Sequence, residues 1–200
     1  MKTYEAVYMP QDNICWEQVT KEELACAPWA PVDHIRAWFQ LCWNENGLHV
    51  RMQAREKDIL RRFTGQLDPI CNDSCLEFFF SAEADGRYIN AEINPNGAIN
   101  LCLRYDRYRH IRLVRNDLQK LLQVQPFFTE DGWGVEYCFP ANFLQIFYPE
   151  LSLTAGKALR ANFYKCGEDT TMPHYLAWNN IETATPDFHQ PAFFGKVILK

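Results

Sequence analysis

Apolar and polar positions alternate with a period of two in segment after segment of this chain, the signature of strands with one face buried. Leu48, Val50, Met52 and Ala54 alternate with His49, Arg51, Gln53 and Arg55. Ile89, Ala91 and Ile93 alternate with Tyr88, Asn90, Glu92 and Asn94, and Ile99, Leu101 and Leu103 with Asn100, Cys102 and Arg104. The run CLEFFFS (75–81) is apolar throughout except for Glu77. Further strands are predicted over Thr3–Met9, His34–Trp43, Val135–Phe139, Ala158–Tyr164, Tyr175–Trp178 and Ala192–Leu199. NENG (44–47) reads as a hairpin turn, and SAEADG (81–86), NPNG (94–97) and DGW (131–133) separate other strands. Helical signals are few: a capping box at TKEE (20–23), a short stretch over 116–125 capped by Asn116, and one turn within ANFLQIFY (141–148). Many short strands and almost no helix predict an all-β, antiparallel β-sandwich, jelly-roll-like, in one domain spanning 1–200.

Composition narrows the class. The 200 residues are 48% hydrophobic and 22% charged, which suits a globular core. A net charge of −5 disfavours nucleic acid and anionic membrane as partners. The cluster Arg104, Arg107, Arg109, His110, Arg112 and Arg115 reads as a solvated strand face. No apolar run approaches the ~20 residues of a spanning helix, and the first residues lack the apolar centre of a signal peptide. The expected location is cytoplasmic if Met1 is the native start and secreted if the chain is trimmed. Eight scattered cysteines read as buried free thiols, Cys71 and Cys75 lacking a second close pair for a zinc signature.

Among catalytic motifs there is no G-x-S-x-G, H-E-x-x-H, P-loop or G-x-G-x-x-G, so no catalytic residue is assigned. Glu77 and Glu92, on successive strands, have the makings of a glycosidase carboxyl pair; the alternative is that each is an ion-paired strut in the sheet. His174 and His189 with Glu77 match no metal spacing, and no metal ligand is assigned. Asp73, Asp85 and Asp106 are scattered turn carboxylates that offer a structural calcium ion no recognisable loop; no cofactor is expected. Binding is the stronger reading. The segment 159–180 crowds Arg160, Asn162, Tyr164, Lys165, His174, Tyr175 and Trp178 into one hairpin length. Directional donors beside flat rings suit a polyhydroxylated ligand. Trp178 and Phe188 are the candidate stacking rings; Glu77, Asn90, Glu92, Arg104, Asn162, His174 and His189 are the candidate polar contacts. The bland counterpart is a packed aromatic cluster closing one end of the sandwich.

Several segments, in order, resemble family 9 carbohydrate-binding modules and their DOMON-like relatives. They are GLHVRMQAREKD (47–58), NDSCLEFFF (72–80), RYINAEINPNG (87–97), DGWGVEYCFPANFL (131–144), GKALRANFYKCG (156–167), HYLAW (174–178) and PDFHQPAFFGKVIL (186–199). The resemblance implies a noncatalytic β-sandwich that holds a terminal sugar between two tryptophans. It places Glu77 where the family has a sugar-contacting glutamate. The first tryptophan is missing, with Ile70 and Cys71 in its stretch; the second falls at or near Phe188; Glu92 or Asn90 replaces a family arginine. Haem, which some DOMON relatives bind through Met and His, is not expected, since Met52 and His49 lie on opposite faces of one strand. The expected function is therefore noncatalytic binding of a sugar or oligosaccharide. A glycosidase-like enzyme using Glu77 and Glu92, and a structural or partner-binding sandwich, are the alternatives.

Overall fold

The computed structural model describes residues 1–11 and 13–200. Thirteen strands carry the fold: β1 (Thr3–Tyr8), β2 (Glu22–Glu23), β3 (Arg36–Asn44), β4 (Gly47–Arg55), β5 (Cys75–Ser81), β6 (Tyr88–Ile93), β7 (Ile99–Arg104), β8 (His110–Leu113), β9 (Gln125–Thr129), β10 (Gly132–Pro140), β11 (Ala158–Gly167), β12 (His174–Ala177) and β13 (Gly195–Leu199). Among the described residues two helices of four residues, α1 (Leu118–Leu121) and α2 (Ala141–Leu144), make up the α content. The strands run in the order β8-β7-β6-β5-β11-β13-β1-β3-β4-β10-β9. The β1 strand is the corner between the two layers: Thr3–Ala6 pair in parallel with β13, and Val7 and Tyr8 with β3. The other strand pairings among the described residues are antiparallel, and the architecture is the expected β-sandwich.

The alternating pattern explains the layering. Inward side chains of β5 and β11, Leu76, Phe78, Phe80, Ala161 and Phe163, meet Phe39, Leu41, Val50, Met52, Trp133 and Val135 from the facing sheet in one core. Its centre is an aromatic column. Phe39 lies face to face with Phe163 at 3.6 Å, Phe163 with Phe78 at 4.4 Å, and Phe78 with Phe80 at 4.8 Å. Such buried rings dominate packing energy, and truncating one costs about 3–5 kcal/mol.

The outer face of the β5–β6–β11 sheet is also covered, which is why CLEFFFS reads as a continuous apolar run. Ile70 and Cys71, Trp29, and residues 178–194 lie across it and form a second apolar cluster with Phe79, Tyr88, Tyr164 and Cys166. Polar clamps hold that cover down. Asn162 Oδ1 accepts the Asn179 N–H at 2.9 Å while its Nδ2 donates to the Asn179 carbonyl at 2.9 Å. Arg160 donates to the Pro191 and Ala192 carbonyls, and Tyr164 Oη to that of Phe188. Asp73 secures the 56–70 loop by accepting the backbone N–H groups of Arg62 and Phe63 and an Asn94 amide N–H.

Local readings diverge in three places. The TKEE capping box forms no helix; Glu22 and Glu23 are extended and pair with Phe39 and Trp38, because the β3 edge offers a ladder that outweighs one helical turn. The 116–125 helix shrinks to α1, with Asp117 rather than Asn116 at its N-cap position. Gln125–Thr129 forms β9, which Pro126 disguises; Pro is tolerated there because β9 is an edge strand. The NENG hairpin forms as its sequence predicts, Asn44 Oδ1 accepting the N–H groups of Asn46 and Gly47. A Cβ at Gly47 would lie 2.3 Å from the Phe139 carbonyl oxygen, so only glycine fits that approach to β10.

Candidate functional site

Three adjacent strands set the site. β5 pairs antiparallel with both β6 and β11, and the register sets Glu77 directly opposite Glu92 on one side and Tyr164 on the other. These side chains share the outer face. Glu77 and Glu92 form the floor of a cavity of about 100 Å³ that is also lined by Cys71, Arg107, Cys166, Glu168, Tyr175 and Pro186–His189. The volume suffices for several waters or the end of a small polar ligand.

Polar groups on the floor are organised as a ladder. Arg104 Nε donates to Asn90 Oδ1 at 2.5 Å, Asn90 Nδ2 to Glu92 Oε1 at 2.7 Å, and Asn100 Nδ2 to Glu92 Oε2 at 2.9 Å. Glu77 is left with less: its hydrogen-bond contact among the described residues is Cys166 Sγ, 2.9 Å from Oε1. Burial, reinforced by the facing Glu92 carboxylate, pushes the Glu77 carboxyl well above the usual range. Burial also raises Glu92, against the opposing pull of Asn100 and Arg104. Both shifts are towards the protonated form of a carboxyl, which donates as well as accepts hydrogen bonds.

An aromatic wall stands beside the carboxyls. Phe188 stacks on Tyr164 at 4.1 Å with the rings 10° apart, and Trp29 and Tyr175 pack on Phe188 at 5.5 and 5.9 Å. His189 stacks on Phe79 at 5.1 Å and its Nδ1 lies 3.2 Å from Tyr88 Oη. Burial lowers its pKa to about 3, so this ring is a neutral hydrogen-bonding group at neutral pH. Arg107, Glu168 and Asp187 sit at the mouth, with Arg107 Nη1 3.3 Å from Asp187 Oδ1.

The structure gathers Glu77, Asn90, Glu92, Arg104, Phe188 and His189 on this one face and sends three other candidates elsewhere. Trp178 is a correction. Its side chain points inward, fully buried, against Phe39 at 5.4 Å and Phe163 at 6.1 Å, and its indole N–H finds no acceptor among the described residues. The ring occupies the space above Gly195, where a Cβ would come within 2.5 Å of it. Asn162 faces outward but spends both ends of its amide on the clamp to Asn179, so it supports the cover. His174 belongs to the opposite side of the sheet: its Nε2 lies 2.7 Å from Lys165 Nζ and its Nδ1 2.9 Å from the Met172 carbonyl. Alternation explains Trp178 and His174, which fall on inward parity with Lys165; Asn162 is on the outer face and is taken up by the clamp.

Sequence reasoning missed Trp29, Tyr175, Arg107, Glu168 and Asp187 as parts of the site. Tyr175 was detectable as the outward residue of β12, and Trp29 as a ring framed by Pro28 and Pro31. The mouth residues lie on loops that only the fold brings together. Of the candidate calcium carboxylates, Asp73 is satisfied internally, Asp85 pairs with Arg87, and Asp106 accepts from Tyr108 and Arg109 in a separate turn. No helix is long and apolar enough to cross a membrane among the described residues.

Comparisons with known proteins agree with the fold. No curated protein sequence matches at a significant level. Among solved structures, a candidate carbohydrate-binding protein of Bacteroides uniformis ATCC 8492 superposes with a TM-score of 0.87 at 22% identity, over 100% of this chain and 99% of that one. A family 9 carbohydrate-binding module of Caldicellulosiruptor kristjanssonii, solved with cellotriose, superposes with a TM-score of 0.69 at 15% identity, covering 100% and 94%. The same organism's family 9 module solved with glucose gives 0.67 at 15% identity, covering 100% and 96%. The profile of carbohydrate-binding family 9 matches residues 6–199, and the chain belongs to that family.

Proposed function

We propose that this protein is a noncatalytic sugar-binding module whose ligand enters the cavity above Glu77 and Glu92. The observation that carries the reading is the carboxyl pair itself: two acidic side chains in register at the floor of a polar cavity, neither neutralised by a direct cation contact among the described residues. Hydroxyl groups of a sugar would complete their hydrogen bonding, while Tyr175 and Phe188 offer ring faces and edges to its C–H surface. With Ile70 and Cys71 in place of the expected first tryptophan, the site relies on hydrogen bonds more than on a double aromatic clamp. The cavity would take the end of a terminal sugar residue, and glucose and cellotriose are the ligands of the two solved modules above.

Hydrolysis by the same pair is the less favoured chemistry. A glycosidase needs one carboxylate ionised as nucleophile or base while the other donates a proton. Here burial raises both carboxyls.

Isothermal titration with glucose, cellobiose and cellotriose, preceded by a glycan array to find the preferred sugar, tests the reading. Tyr175→Ala removes a half-buried ring from the wall and should weaken binding about tenfold, the effect of losing one stacking contact of about 1.4 kcal/mol. Absence of any sugar binding by the wild-type protein, or an unchanged affinity in a folded Tyr175→Ala variant, would defeat it.

A further inference from the structure

The floor of the cavity holds a second chemical feature that sugar recognition does not need. Cys75 on β5 and Cys166 on β11 are cross-strand partners in direct register, both on the outer face. Glu77 projects from the same face two residues along β5. The two Sγ atoms and a Glu77 carboxylate oxygen all lie within 4.8 Å of one another, and all three residues are buried. We propose that Cys75, Cys166 and Glu77 form a binding site for a thiophilic divalent metal ion of the zinc class, with its fourth position open to the cavity.

The geometry suits that ion. Tetrahedral zinc with Zn–S bonds of about 2.3 Å holds its sulfurs roughly 3.8 Å apart, within the spread of these donors. Two thiolates and one carboxylate are a donor set that zinc accepts and that calcium and magnesium do not. Both cysteines and the glutamate project from paired strands at the centre of a sheet, so ligand positions are set by the backbone ladder rather than by a loop. Three protein ligands with a cavity above them match the open class of zinc site, in which a small molecule takes the remaining position. Sugar binding is not a premise of this proposal, although Glu77 serves both; a failure of one reading leaves the other standing.

The test uses the reduced, full-length protein, stripped with a chelator and titrated with cobalt(II) and zinc(II) alone. One cobalt per chain should bind with the visible ligand-field bands of a tetrahedral site and a thiolate-to-metal charge-transfer band. Zinc should displace it and raise the melting temperature. Cys75→Ser and Cys166→Ser should each reduce the charge-transfer band and weaken zinc binding at least tenfold, whereas Cys15→Ser, which removes an exposed thiol, should change neither. On the wild-type chain, zinc should protect Cys75 and Cys166 from alkylation in mass-spectrometric mapping, a readout that does not depend on the variants folding. Cobalt without a thiolate band, zinc that leaves both cysteines open to alkylation, or a Cys75–Cys166 disulfide that forms on air exposure with no measurable metal affinity would each overturn the proposal.

Discussion

Two buried carboxylates on opposite sides of the same sheet meet opposite fates. Glu56 lies at one end of the inner core, where Ser74 Oγ and Trp133 Nε1 donate to it at 2.8 Å each and Lys165 Nζ approaches to 3.2 Å. Lys165 in turn donates to the Cys166 carbonyl and reaches His174 Nε2, both at 2.7 Å. Opposing burial, Lys165 and the two donors hold Glu56 below the ordinary glutamate range, and this carboxylate is ionised and paired. Glu77 has no such cation in contact among the described residues, and burial with the facing Glu92 carboxyl shifts it the other way, towards its protonated form. A complete polar network binds the fold; the less complete one is where the proposed sugar would add its hydrogen bonds. The same strand, β11, serves both, Lys165 pointing inward and Cys166 outward.

The largest test of that contrast removes the cation from the complete network. Lys165→Met leaves Glu56 buried without its partner and should cost about 3–5 kcal/mol, measured as a fall in the urea midpoint at neutral pH. Adding Glu56→Gln to that background should recover a substantial part, because the uncompensated charge disappears. A loss below about 1 kcal/mol for Lys165→Met would show that Glu56 is reached by water and that the two regions do not differ in kind.

Much of this was legible beforehand, and the failures share one cause. Period-two alternation located β4, β6 and β7, the apolar run CLEFFFS located β5, and the register those strands adopt makes Glu77 and Glu92 neighbours. Alternation also carries the parity that sets Trp178 inward, but 159–180 reads as a hairpin with two presentable faces, and residue type outweighed parity there. The cover over the outer face is what the pattern does not reveal. Residues 178–194 have no regular period, and their position follows from side-chain clamps such as Asn162 to Asn179, which join residues 17 positions apart. For the same reason the carboxyls at the site are buried rather than displayed on an open strand face, and Lys165, a residue type rarely found inside, sits fully enclosed.

Acid should separate the regions by the sign of their pH dependence. Burial and the Lys165 charge lower the His174 pKa from an ordinary 6.5 to about 4. Its neutral form accepts from Lys165, so the native state binds fewer protons than the unfolded chain between those values. Stability present above pH 6.5 is therefore lost as pH falls towards 4, and the depressed Glu56 adds to the loss below its unfolded value of about 4.5. His174→Gln, which preserves an acceptor for Lys165, should flatten the slope between pH 6.5 and 4 at a cost of roughly 1–2 kcal/mol at neutral pH. Urea midpoints across that range measure it. An unchanged slope would mean that His174 is not the group coupling this network to acid.

The smallest expected effect, and the one that most sharply divides the two carboxylates, comes from Glu77→Gln. A folded-state pKa raised above the unfolded value contributes stability that is fully present below the unfolded pKa of about 4.5 and is lost as pH climbs through the raised folded value. Glu77 and Glu92 together should thus make the wild-type protein lose stability with rising pH, the opposite of what His174 and Glu56 do. Glutamine mimics the protonated carboxyl, so Glu77→Gln should lie within about 1 kcal/mol of wild type at pH 4.5 and become progressively more stable than wild type as pH rises. Parallel urea titrations with a chelator present, at intervals from pH 4.5 to 8.5, measure the difference. If the Glu77→Gln advantage stays flat across that range, the carboxyl is ionised throughout and the cavity floor is as fully compensated as the Glu56 network. If it grows with pH, removing the charge lets the floor relax, and the Glu77 carboxyl is shown to ionise at the cost of the fold, as the Glu56 carboxylate does not.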